Sequence, residues 1–211
     1  MRADYSFYLI LDDHLCRPDA MLQLVEKVVA AGVTCIQLRM KQSSHETIIA
    51  VSKQLQNFLT PKKIPLIIND YVDLVLQTDA DGVHIGQNDM PYADVRKIVG
   101  KKIIGLSIEN LQQAQQYANC GADYFGVGPV FKTSTKLDAA KPVGLLQLAQ
   151  IKQILKGPVV AVGGINQQTI LSVLKTGVDG FAFVSAILCS PSPEEETKRL
   201  SKIIRDNYAN I

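Results

Sequence analysis

Tyr124-Phe125-Gly126-Val127-Gly128-Pro129-Val130-Phe131-Lys132-Thr133-Ser134-Thr135-Lys136 is where the chain changes character most sharply. A wholly apolar run breaks into glycine and proline, then into hydroxyl side chains and lysines, with no bulky apolar residue after Phe131. This pattern predicts a buried strand whose end opens into a polar loop. Hydroxyls and backbone N–H groups can ring phosphate oxygens while an ammonium neutralises them, and Gly128 allows close backbone approach. Taken alone, the stretch is read equally as an anion-binding loop or as a solvated Ser/Thr loop.

The same unit, an apolar strand followed by a polar end and an amphipathic helix, recurs in both directions from this stretch. Towards the N-terminus lie strands at Asp123–Val127, Lys102–Ser107, Gly82–Ile85, Pro65–Ile68, Thr34–Leu38 and Phe7–Leu11. Towards the C-terminus lie Pro158–Val162 and Gly180–Ser185. Between them, Leu22, Val25, Val28 and Val29 keep the helical period in a segment capped by Asp19. Ser43 and Glu46 form a capping box for a helix to about Leu59. Further helices are predicted over Tyr71–Gln77, after Pro91, over Asn110–Cys120, over Leu145–Leu155, from Asn166 to Gly177, and from Ser192-Pro193-Glu194 to about Asn207. Continuous apolar strands imply a parallel sheet covered by helices, and eight such units within 211 residues predict a single α/β domain over residues 1–211, a (β/α)8 barrel. An open doubly wound sheet is disfavoured because no G-x-G-x-x-G follows the first strand.

Hydrophobic content of 47% provides a large core, and the formal net charge is only +2. No run of lysine or arginine suggests nucleic acid, and no apolar stretch spans a bilayer. These features predict a soluble, cytoplasmic protein with small-molecule partners, and a homo-oligomer is compatible with them. The four cysteines lack metal-ligand or C-x-x-C spacing, which argues against zinc, disulfide and redox functions.

Barrel enzymes carry their chemistry at the C-terminal ends of the strands. In Gln37-Leu38-Arg39-Met40-Lys41, alternation turns Gln37, Arg39 and Lys41 the same way, which suits a polyanion grip; a strand end paired with a carboxylate is the alternative. Asn69-Asp70 and His84-Ile85-Gly86-Gln87-Asn88-Asp89 place two carboxylates, Asp70 and Asp89, on neighbouring strand ends. Hard oxygen ligands beside a phosphate grip suit magnesium, whereas each aspartate alone could cap a helix. Ser107 ends the fifth strand, Gly163-Gly164-Ile165-Asn166 the seventh, and Val184-Ser185 the eighth. A Gly-Gly turn near the last two strands is a common phosphate site in such barrels. His84 reads as structural. No nucleophile-base pair is evident, so electrostatic stabilisation is expected to dominate.

These segments resemble the thiamine phosphate synthase family. The resemblance rests on Tyr8-Leu9-Ile10, Gln37-Leu38-Arg39-x-Lys41, Ile68-Asn69-Asp70, Asp81-Gly82-Val83-His84-Ile85-Gly86-Gln87-x-Asp89, Gly105-Leu106-Ser107, the stretch from Gly126 to Lys136, Gly163-Gly164-Ile165 and Val184-Ser185-Ala186-Ile187, in the family's order over nearly the whole chain. It implies a transferase that joins hydroxymethylpyrimidine diphosphate to thiazole phosphate through a pyrimidine cation. It further implies that Gln37, Arg39, Lys41, Asn69, Ser107 and Lys136 hold the pyrimidine diphosphate and that Asp70 and Asp89 bind Mg2+. Thr133, Ser134, Thr135, Gly164, Val184 and Ser185 would hold the thiazole phosphate, with Arg39, Lys41, Ser107 and Lys136 catalytic. A thiazole tautomerase on the same barrel and a non-catalytic phosphate-ligand sensor are the alternatives. The chain departs from the family at Ile108-Glu109-Asn110, where a histidine is common. The polar loop Lys132–Pro142 would be a reasonable lid at that rim, and the sequence leaves open whether it closes over the substrates.

Overall fold

The computed structural model describes residues 3–133 and 141–208, and within them the strands close into one parallel barrel in the order β1 to β8. The strands are β1 Phe7–Asp12, β2 Cys35–Arg39, β3 Leu66–Asn69, β4 Gly82–Ile85, β5 Ile103–Ile108, β6 Tyr124–Val127, β7 Val159–Val162 and β8 Gly180–Phe183. Each pairs in parallel with the next, and Phe7↔Phe181 to Leu9↔Phe183 close the ring. The helices are α1 Met21–Ala30, α2 His45–Leu59, α3 Val72–Thr78, α4 Tyr92–Val99, α5 Leu111–Tyr117, α6 Gly144–Ile154, α7 Ile170–Leu174, α8 Ser185–Leu188 and α9 Pro193–Tyr208. Among the described residues no helix is long and apolar enough to cross a membrane.

Alternation along the strands builds two separate cores. Residues pointing outwards, such as Leu9, Leu38, Ile68, Val83, Leu106, Phe125 and Phe181, pack beneath the helices. Those pointing inwards form a smaller cluster of Tyr5, Tyr8, Cys35, Ile67, Tyr124, Val160 and Ala182 that fills the lower barrel. Glycines tune this interior. A Cβ at Gly105 would lie 2.1 Å from Cζ of Tyr124, so that position stays bare to admit the ring.

The opposite, N-terminal face carries a repeated device. Asp81, Asp123 and Asp179 each precede an even-numbered strand, and each carboxylate accepts from an N–H at or near the start of the preceding odd strand: Leu66 at 2.8 Å, Ile104 at 2.9 Å and Val159 at 2.7 Å. Thr34 does the same for the N–H of Phe7. These contacts lie away from the cavity and serve stability.

Several local expectations shift by a residue or more. Ser44, not Ser43, caps α2 by accepting from the N–H of Thr47. Ser43 is diverted because its hydroxyl donates to Asp13 at 2.8 Å. Asp19 caps nothing; it pairs with Arg17, and Pro18–Ala20 form a 3-10 turn before α1. Asn166 heads a turn rather than a helix, with its side chain accepting from the N–H groups of Gln168 and Thr169, and α7 starts only at Ile170. The eighth strand stops at Phe183, and Val184 and Ser185 open α8 instead.

Candidate active site

A cavity of about 620 Å³ occupies the C-terminal mouth of the barrel and is lined from all eight strands or the loops that follow them. Among the described residues it gathers Gln37, Arg39, Lys41, Asn69, Asp70, Asp89, Ser107, Thr133, Gly164, Val184 and Ser185. Residues far apart in sequence meet here because parallel strands of one barrel all end on the same face. Ser134, Thr135 and Lys136, with most of the expected lid, lie outside the described residues.

The cationic sector is built on the end of β2. Gln37 is 3% exposed, and Arg39 reaches the carboxylate of Asp12, itself 2% exposed on the adjoining strand β1, where Asp12 pairs in register with Arg39. Asp13 holds the following loop by accepting from the N–H groups of Lys41 and Gln42 at 3.1 and 2.9 Å. Lys41 then extends to Asp70 at 2.5 Å. The hydrogen bond to Asp70 raises the lysine pKa above its ordinary value, against the opposing effect of partial burial. Both cations therefore rest on carboxylates, so the strand-end-with-carboxylate alternative describes their present partners, while their position on the cavity wall leaves them in reach of a bound anion.

Asp70 adopts a left-handed backbone, φ 63°, in a residue that is not glycine. Such a conformation costs on the order of 1–3 kcal/mol and persists where surrounding structure enforces it. Here the N–H of Asp70 donates to the carbonyl of His84 at 2.9 Å, tying the end of β3 to β4. Neither aspartate caps a helix: Tyr71 and Pro91 stand at the N-caps of α3 and α4. Asp89 accepts from the N–H of Gly86 at 2.7 Å, which turns its carboxylate back to the β4 end. No cluster of three or more His, Cys, Asp or Glu side chains capable of caging a metal occurs among the described residues. Two carboxylates on one wall fit magnesium, which commonly takes one or two protein carboxylates and completes its shell with water and substrate phosphate.

A buried polar chain crosses the floor. Gln37 donates from Nε2 to Oη of Tyr8 at 3.0 Å, the two tyrosine hydroxyls meet at 2.7 Å, Tyr124 meets Nδ1 of His84 at 2.8 Å, and Nε2 of His84 meets Oγ of Ser107 at 2.9 Å. Burial pushes both tyrosine pKa values well above the ordinary range. His84 is thus structural in the sense expected, yet it lines the cavity and bonds directly to Ser107. Tyr8, Tyr124 and Asp12 carry no site role in the sequence reading, because each sits within or ends an apolar run. Alternation offered a signal: all three share the inward face.

Across the mouth, Gly163 and Gly164 have φ of 97° and 69°. A Cβ at Gly163 would lie 2.6 Å from Pro129, and one at Gly164 would lie 2.7 Å from Phe131, so the two glycines let the β7 end nest against the loop after β6. The N–H of Phe131 donates to the Gly163 carbonyl at 3.1 Å. With Val184 and Ser185 at the head of α8, they form a second sector at the β7 and β8 ends, separated from the cationic β2 end by β1. Glu109, within the Ile108-Glu109-Asn110 segment where the chain departs from the family, lines the cavity, and its N–H donates to the side-chain oxygen of Gln113.

The barrel and the polar cavity at its mouth define a class: a (β/α)8-barrel enzyme of small molecules. Sequence comparison narrows it. The family profile described as thiamine monophosphate synthase matches residues 7–187. The chain is 41% identical over 208 residues to the thiamine-phosphate synthase of Syntrophomonas wolfei, covering 98% of this chain and 100% of that protein. It is 42% identical over 207 residues to that of Desulfitobacterium hafniense strain Y51, covering 98% and 100%. Thiamine phosphate pyrophosphorylase from Pyrococcus furiosus shares the structure with a TM-score of 0.88 at 35% identity, covering 97% of this chain and 98% of that one. The chain belongs to the thiamine monophosphate synthase family, transferases of thiamine biosynthesis.

Proposed function

We propose that this enzyme condenses hydroxymethylpyrimidine diphosphate with thiazole phosphate, giving thiamine phosphate and pyrophosphate. The observation that carries the reading is the convergence on one cavity of a cationic strand end, Arg39 and Lys41, with Asp70, Asp89 and Ser107, and of a separate sector at Gly163–Gly164 and Val184–Ser185. Two phosphorylated substrates need two such sectors, spaced so that their organic ends meet between them.

In this reading Arg39, Lys41, Asn69, Ser107 and Lys136 hold the diphosphate and Gln37 the pyrimidine. Thr133, Ser134, Thr135, Gly164, Val184 and Ser185 hold the thiazole phosphate. Asp70 and Asp89 would hold Mg2+, which when bound supplies positive charge to the diphosphate. The bond between the pyrimidine methylene carbon and the diphosphate oxygen breaks with its electron pair leaving on oxygen. The thiazole nitrogen lone pair then captures the resulting pyrimidine cation. Arg39, Lys41 and Lys136 stabilise charge that grows as pyrophosphate departs, so their effect is greatest in the transition state. No proton needs abstracting in this step, so the contact of Ser107 with Nε2 of His84 at 2.9 Å is not called on as a nucleophile-base pair.

The test mixes purified enzyme with both substrates and magnesium and follows pyrophosphate release and oxidised thiamine fluorescence. Lys41→Met and Asp89→Ala should each lower kcat/KM on the order of 100-fold. A folded enzyme that binds both substrates without releasing pyrophosphate would overturn the proposal.

A further inference from the structure

The hydrogen-bond chain across the cavity floor has a property beyond holding side chains in place. Tyr8 and Tyr124 each own one hydroxyl proton, are 2% and 1% exposed, and remain protonated because burial disfavours the phenolate. A neutral imidazole at His84 owns one N–H. Every bond in the chain is therefore donated in one direction or the other, and a mismatch leaves two donors or two acceptors facing each other, at the greatest cost among Gln37, Tyr8 and Tyr124, which are buried, and at less among His84 and Ser107, which are half-buried at the cavity.

Two neutral arrangements satisfy all the bonds. In the first, the Gln37 amide N–H donates to Tyr8, Tyr8 to Tyr124, Tyr124 to Nδ1 of His84, and Nε2–H of His84 to Ser107. The serine proton is then released to the cavity, and the Gln37 amide oxygen is left for a ligand. In the second, Ser107 donates to Nε2, Nδ1–H to Tyr124, Tyr124 to Tyr8, and Tyr8 to a flipped Gln37 oxygen. Ser107 then offers only lone pairs and Gln37 offers its NH2 group. The position of Gln37 Nε2 against Tyr8 corresponds to the first arrangement.

The interior is shaped to keep the chain continuous. A Cβ at Gly126 would lie 2.9 Å from Cε1 of His84, and one at Gly105 would fall within the Tyr124 ring, so bare backbone at both positions seats the two central rings. The Tyr124 ring also stacks at 5.6 Å from Tyr8 and 5.4 Å from His84.

We propose that Gln37, Tyr8, Tyr124, His84 and Ser107 form a polarity relay that makes the two ends of the cavity floor recognise one ligand jointly. An anion accepting from Ser107 selects the first arrangement, and the relay then presents a hydrogen-bond acceptor at Gln37. The matching ligand carries an acceptor such as diphosphate at one end and an N–H donor such as a ring amino group at the other. Tyr8, Tyr124 and His84 act as positioning residues that set amino-against-oxo specificity. The identity of that ligand rests on the proposed function; the relay itself does not.

The test has two arms. Histidine is labelled with 15N, the His84 signal is assigned with a His84→Gln variant, and saturating inorganic pyrophosphate is added. The proposal expects the neutral Nε2–H tautomer with Nδ1 unprotonated; an Nδ1–H tautomer or an imidazolium in the bound state overturns it. The second arm compares kcat/KM for the aminopyrimidine diphosphate and its oxo analogue in the wild type, Tyr124→Phe and Tyr8→Phe. Either variant cuts the chain without removing a ring, and the amino-to-oxo preference should fall at least about tenfold. Equal losses on both substrates would reduce the tyrosines to packing elements. If the wild type forms no thiamine phosphate, the proposed function fails while the tautomer still decides the relay.

Discussion

Gly105→Ala tests whether the barrel interior was cleared for the tyrosine that centres the floor. Gly105 does not require left-handed backbone, so alanine is compatible with its conformation and the whole effect comes from contact. The new methyl would lie 2.1 Å from Cζ and 2.3 Å from Oη of Tyr124. The ring cannot slide aside, because Tyr124 is 1% exposed and its hydroxyl bonds both Tyr8 and His84. Overpacking of this kind costs about 1–3 kcal/mol, and each buried partner left unsatisfied adds about 1–3 kcal/mol. With one of the two partners lost the expected loss is roughly 2–6 kcal/mol, a large part of the ordinary stability of a domain. With a urea slope of roughly 2 kcal/mol/M, the unfolding midpoint should drop by about 1–3 M. Equilibrium urea unfolding, followed by far-UV circular dichroism, reads this directly. In Gly105→Ala/Tyr124→Ala the clash has no partner, so the double variant should be less destabilised than the sum of the two singles. A Gly105→Ala midpoint within about 0.3 M of the parent, or strict additivity in the cycle, would refute the argument.

Asp12→Asn keeps the size of a buried side chain but removes the charge that holds Arg39. It should cost about 1–3 kcal/mol, less than a fully buried pair because the arginine is 21% exposed, and saturating pyrophosphate should recover more thermal stability in the variant than in the wild type; equal stability of the two proteins would discount the pair. The tyrosine pKa values rise well above 10.0 on folding, so between that value and the folded one the native state holds more protons than the unfolded chain. Stability is therefore complete below about pH 10 and falls as pH rises beyond it, by up to about 1.4 kcal/mol per pH unit for each tyrosine. Stability curves of Tyr8→Phe/Tyr124→Phe should be flatter there, and parallel curves would contradict the assignment.

Much of the rim was legible because its residues interrupt apolar strands. Arg39, Lys41, Asn69, Asp70 and Ser107 are polar where the period demands burial or a strand end, and each lies on the cavity wall. Partner choice was not legible in the same way. Ser43 and Ser44 are adjacent and equally able to cap, and only the approach of Asp13 across the end of β1 decides between them. Asp19 and Asn166 failed as helix caps for a related reason. Side chains that fit a cap also fit a local ion pair or an Asx turn, and the next few backbone angles select among these.

The sequence by itself determined the number and order of the strand-helix units, the parallel closed sheet they require, and the family, since periodicity and short motifs are local properties of the chain. Tertiary structure alone decided that Asp12 faces Arg39, that Lys41 rests on Asp70, and that Gln37, Tyr8, Tyr124, His84 and Ser107 join into one chain. Those contacts depend on the register between strands and on which glycines leave room for a neighbouring ring. Both are set only when the barrel closes, because closure brings inward-facing side chains from distant segments within hydrogen-bond range.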